Sequence, residues 1–82
     1  MRAPRHGETV TVMRDGAVYL ELVVARTEVG SHEGWYTIHG GVRHEECHGS
    51  PWHEPRAVYA ELQDDGVVRM LSKDERINSD RG

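Results

Sequence analysis

The ten residues Asp15-Gly16-Ala17-Val18-Tyr19-Leu20-Glu21-Leu22-Val23-Val24 decide how this chain folds. Asp15-Gly16 is its strongest short hairpin signal, because a type I′ turn needs positive φ at both central residues and this dipeptide tolerates it. Behind the turn, Val18, Leu20, Leu22 and Val24 recur at every second position, against Tyr19, Glu21, Val23 and Ala25. A period of two belongs to a strand with one face buried. The stretch therefore predicts a long returning strand with Val18 to Val24 inward and Glu21 in water.

Working outward, Thr9 to Arg14 reads as the first strand of that hairpin, with Val10 and Val12 on one face. Downstream, the alternation degrades over Arg26 to Val29, and Gly30, Ser31 and Gly34 supply a turn or a bulged corner. Trp35 to His39 is a third strand, with Tyr36 and Ile38 on one face and Trp35, Thr37 and His39 on the other. Gly40-Gly41 either ends it or lets another backbone pass close by. Pro55 sets the start of a fourth strand, Arg56 to Gln63, whose apolar set is Val58, Ala60 and Leu62. Asp64-Asp65-Gly66 makes a second tight turn before a fifth strand, Val67 to Leu71. A helix over Ala57 to Leu71 would use good helix formers, but Asp64-Asp65-Gly66 at its centre argues against it.

Five short strands joined by tight turns predict an all-β fold: a small five-stranded antiparallel meander, partly or fully closed. Closure would hide the edges that a flat sheet exposes. In size and strand spacing the pattern resembles the small SH3-like barrels, a likeness of architecture that no family motif accompanies. The expected core is Val10, Val12, Val18, Leu20, Leu22, Val24, Ile38, Val58, Leu62 and Val68. Residues 1–7 read as a flexible lead, 8–72 as a single β domain and 73–82 as a flexible tail.

Eighty-two residues allow one domain, and a chain of this size buries only about 60–65% of its unfolded surface. One cysteine excludes an internal disulfide. Met1 to Gly7 has no apolar core of a secretory signal, and no run approaches the roughly 18 apolar residues of a membrane span. The expectation is a cytoplasmic protein with a reduced thiol. A net charge of −4, with arginines interspersed among the carboxylates, argues against a nucleic-acid partner. Lys73 is the only lysine among ten basic residues, a bias of GC-rich coding sequence that fits a high-GC bacterium or one of its phages.

The chemistry-bearing residues crowd into His39 to Pro55, read as a polar loop. His44, Cys47, His48 and His53 are candidate metal ligands, since a His-x-x-Cys pair can bend around a tetrahedral zinc ion. The bland alternative is a solvated loop, and the expectation is no cofactor. Cys47 beside a histidine could act as a nucleophile, but adjacent residues on an extended chain point apart, and no phosphate loop or nucleophile elbow occurs. The chain is therefore read as no enzyme. Trp52, in Ser-Pro-Trp-His without apolar neighbours, is either a lid or an exposed anchor. Trp35, Tyr36, Trp52, His53 and Arg56 form the candidate surface for a protein partner or for self-association.

Overall fold

The computed structural model describes residues 2–45 and 48–75. It is all-β. Five strands follow in order: β1 Thr9–Arg14, β2 Ala17–Val29, β3 Trp35–His44, β4 Trp52–Asp64 and β5 Val67–Met70. Each pairs antiparallel with the next, and β5 returns parallel to β1 through Thr11–Val67, Val12–Val68 and Met13–Arg69, so the hydrogen bonding closes into a ring. The helix considered over Ala57 to Leu71 does not form; that stretch is the β4–β5 hairpin.

The turns behave as their residues require. Asp15 and Gly16 sit at φ of 52° and 80°, the pair of positive values that a type I′ turn demands. Gly66, at φ 77°, carries the second hairpin, and its carbonyl accepts a 2.8 Å bond from the Thr11 N–H. That bond joins the β4–β5 turn to β1 and helps close the ring.

Inside lie Val10, Val12, Leu22, Val24, Ile38, Val58, Ala60 and Val68, each at most 1% exposed. Leu20 and Leu62 are half-buried against them, and Pro4 and Leu71 are buried as well. Val18 departs from expectation, at 62% exposed. The reason is a bulge. Val12 faces Leu20 but Met13 faces Val18, so Tyr19 is an extra residue and the alternation reverses phase there. Two further bulges fall at Ala25, between the pairs Val24–Gly40 and Arg26–His39, and at Gln63, between Leu62–Val68 and Asp64–Val67. Each bends its strand, which is how so short a sheet curls round to meet itself.

β3 and β4 are longer than the sequence suggested. β3 runs through Gly40-Gly41 to His44, and β4 begins at Trp52, so the polar segment is mostly paired strand and the connection shrinks to 45–51. Gly40 is there for close approach: a Cβ on it would lie 2.1 Å from the Val23 carbonyl oxygen. β2 pairs with β3 no further than Gly41. Beyond it, Val42, Arg43 and His44 pair with Glu54, His53 and Trp52 as a two-stranded arm leaving the ring.

Candidate functional site

The arm carries a linked set of polar and aromatic side chains. Its pairing with β4 has no bulge from Trp35–Glu61 to His44–Trp52, so residues two apart keep to one face. Ile38 and Val58 point into the core. Val42, His44, Trp52, Glu54 and Arg56 therefore continue the core-facing side outward, while Arg43, His53 and Pro55 lie on the other side.

On that inner face the groups meet in series. Val42 packs against the core. The His44 ring stacks on Trp52 with centroids 4.5 Å apart and planes 21° apart. His44 Nε2 lies 3.1 Å from Glu54 Oε1, and Arg56 Nε donates to Glu54 Oε2 at 2.7 Å. These bonds, first from Arg56 and then from His44, hold the Glu54 carboxyl below its ordinary range. Arg56 is raised in turn, by Glu54 first and by the Tyr19 hydroxyl second. Tyr19 also lies under the Arg14 guanidinium, 5.4 Å from its ring centroid. The chain of contacts thus runs from the β1–β2 turn to the tip of the arm. Trp52 is 45% exposed, with one face covered by His44 and no core beneath it.

Of the candidate partner-binding residues, this arrangement unites Trp52 and Arg56. His53 is exposed on the opposite face. Trp35 stands at the start of the ten-residue β3 and Trp52 is paired at its end, roughly 30 Å apart at strand pitch. Trp35 is already engaged: its Nε1 donates to Glu61 Oε2 at 3.2 Å and His32 stacks on it at 4.2 Å. Tyr36 packs on the core. The two tryptophans do not form one surface.

The candidate metal ligands divide similarly. His44 and His53 face opposite sides of the ribbon, too far apart in direction to share a tetrahedral ion, and His48 is exposed beyond the strand ends. Cys47 lies outside the described residues. Among the described residues, no group of three or more His, Cys, Asp or Glu side chains is disposed to hold a metal. His39, on the outer face, has Nε2 3.6 Å from Glu28 Oε2 and packed away from solvent.

One cluster escaped the sequence reading. Ser72 Oγ accepts the Glu75 N–H at 3.1 Å, and Glu75 Oε1 accepts the Ser72 N–H at 3.1 Å, a reciprocal cap opening the short turn Lys73 to Glu75. Arg69 grips both Glu75 oxygens, at 3.1 and 3.0 Å, and also reaches Glu61. The signal was present as Ser-x-x-Glu, the capping box.

Comparison with known proteins finds no matching family model, no matching curated protein and no matching solved structure. Among the described residues, no helix is long and apolar enough to cross a membrane.

Proposed function

We propose that this chain is a small, non-enzymatic protein-binding domain of SH3-like size whose working surface is the β3–β4 arm, with Trp52 as its anchor. The observation that carries the reading is the arm itself. Ring closure needs β3 only as far as Gly41, yet strand and register continue for three more pairs and end on a 45% exposed tryptophan. Large aromatics beside arginine are the side chains that most often dominate protein interfaces. The His44 stack holds the indole in one orientation, so less freedom is lost when a partner covers it. The acidic balance and the arginine-over-lysine bias fit a cytoplasmic accessory or structural subunit, from a high-GC bacterium or one of its phages.

The test compares proteins captured by the immobilised wild type, Trp52→Ala and Glu21→Ala, with melting curves for each. Glu21 is exposed on β2, away from the arm, and serves as the control. Capture should fall at least about tenfold for Trp52→Ala alone, with little loss of melting temperature. A folded Trp52→Ala that captures normally, or one that melts far earlier, would overturn the assignment, the latter by showing Trp52 to be a structural lid.

A further inference from the structure

β5 runs antiparallel along β4 until the Leu71 N–H donates to the Tyr59 carbonyl at 2.8 Å. The Ser72–Glu75 cap then turns the chain away, while β4 continues in the other direction to Trp52. Among the described residues, no strand pairs with β4 on that side between Trp52 and Val58. In an antiparallel ladder both backbone groups of a residue point to the same side, and successive residues alternate. Since the Tyr59 carbonyl points toward β5, the groups of Ala57, Pro55 and His53 point to the open edge, and those of Arg56 and Val58 to β3. The edge thus offers three carbonyls and the N–H groups of Ala57 and His53. Pro55 withholds the third donor, the usual place for a proline at a sheet margin. It blunts one position and leaves its neighbours competent.

A groove of about 640 Å³ lies where β5 departs, lined by Ala57, Tyr59, Leu71 and Ser72 and by the Arg14–Gly16 turn, among others. Its charged lining is Arg14, Arg69 and Lys73 against Asp15 and Glu75. With Arg69 held by Glu75 and Glu61, Arg14 and Lys73 against Asp15 leave a margin of one positive charge on a chain whose net charge is −4. We propose that the free edge of β4 docks an extended, acidic segment of a protein partner. That segment adds to the sheet beside Ala57 in the line β5 abandons, a mode in which main-chain bonds give affinity and side chains give selectivity. The proposal rests on the protein-binding reading above and names how the partner is held. A second copy fits worse: it brings its own net charge of −4, and pairing β4 to β4 sets two prolines, not one, into the new ladder.

The probe is a capped heptapeptide of alternating glutamate and valine, with its lysine–valine counterpart as control, followed by amide hydrogen exchange. At peptide concentrations near ten times Kd, exchange at Ala57 and His53 should slow about tenfold with the acidic peptide, and little with the basic one. Ala57→Pro deletes an N–H that the β3–β4 ladder does not use, so the domain should stay folded and His53 should lose its protection. Arg14→Glu with Lys73→Glu changes two exposed side chains and should reverse the preference between the peptides. The proposal falls if the acidic peptide protects neither amide, or if folded Ala57→Pro still shows protection at His53. It also falls if charge reversal leaves the preference unchanged. Protection of Ala57 that appears without peptide and grows with protein concentration would instead make a second copy the occupant. Trp52→Ala leaves this edge intact, so the peptide response and Trp52-dependent capture can fail independently.

Discussion

The same two strands build the ring and the arm, in one unbroken register, and end in opposite environments. Between Tyr36 and Gly40, β3 is backed by β2, and the inward residues Ile38 and Val58 are at most 1% exposed. From Val42 to His44 the pairing with β4 is unchanged, but no third strand stands behind it among the described residues, and the same face carries His44, Trp52, Glu54 and Arg56. Backbone pairing therefore does not distinguish core from surface. What decides burial is whether the sheet curls over the face, and the three bulges set where it does. Hydrogen bonds hold the arm's backbone together, while apolar burial holds the ring.

The largest effect should come from removing ring filler. Leu22 is fully buried in the core, and Leu22→Ala should cost about 2–5 kcal/mol, enough to leave a domain this small mostly unfolded. Val18→Ala, three pairs along the same strand, should change stability by no more than about 0.5 kcal/mol, because the Tyr19 bulge has turned Val18 to water. Urea titration of both variants checks this. Equal losses would mean that the bulge does not separate the two positions.

Next comes the crossing where ring passes into arm. Gly40→Ala would set a methyl group 2.1 Å from the Val23 carbonyl oxygen and 3.2 Å from Leu22 Cγ. The neighbour that must move is backbone, so the cost should be about 1–3 kcal/mol or more. Gly16→Ala meets no atom within 4 Å and pays instead for its φ of 80°. Comparing the two melts separates crowding from backbone strain.

How much of this was legible follows from what each residue does. The Asp15-Gly16 turn, the five strands and most of the core could be read because apolar residues alternate only where one face is buried. Val18 misled because a valine looks the same before a bulge as after it, and nothing in Tyr19 marks it as the extra residue. The arm was hidden for a related reason. Val42, His44, Trp52, Glu54 and Arg56 alternate with Arg43, His53 and Pro55, so both faces are polar and no period shows. Gly40-Gly41 pointed to a close approach of backbones, and that alternative is the one the fold uses. Trp52 stood out as lacking neighbours, but its distance from Trp35 depends on register, which polar strands specify weakly.

A subtler contrast should appear in motion. If apolar burial holds the ring, and the arm has little beyond its hydrogen bonds, Val42 and the His44–Trp52 stack, the arm should open without the ring. Amides of Val42, His44 and Glu54, which pair between β3 and β4 in the arm, should exchange by local opening. Those of Leu22 and Ile38 should require global unfolding. Their exchange rates should therefore diverge as denaturant is raised, only the ring amides tracking global stability. His44→Ala should widen the gap by removing the stack on Trp52. Parallel dependence on denaturant in both regions would show ring and arm to be one cooperative unit.

The smallest predicted effect concerns the turn that ends β5 and so opens the β4 edge. Arg69 first, and then the Ser72 N–H, hold the Glu75 carboxyl down to about 2, from an ordinary 4.5. A lowered folded value means that the unfolded chain takes up the proton first. The contribution is therefore complete above about pH 4.5 and is lost as pH falls toward 2. Glu75 and Arg69 are each more than a third exposed at the side chain, at 34% and 39%, so solvent screens the pair to about 0.2–1 kcal/mol. Glu75→Gln isolates the charge, since glutamine at this position still accepts the capping bond. Wild type should melt a few degrees above Glu75→Gln at neutral pH, the gap closing between pH 4.5 and 2 and shrinking in high salt. Ser72→Ala should destabilise by about 1 kcal/mol through the lost cap, with far less dependence on salt. If the Glu75→Gln gap persists unchanged at the acid end, the turn is held by the cap alone, and the departure of β5 from β4 does not depend on the Arg69 ion pair.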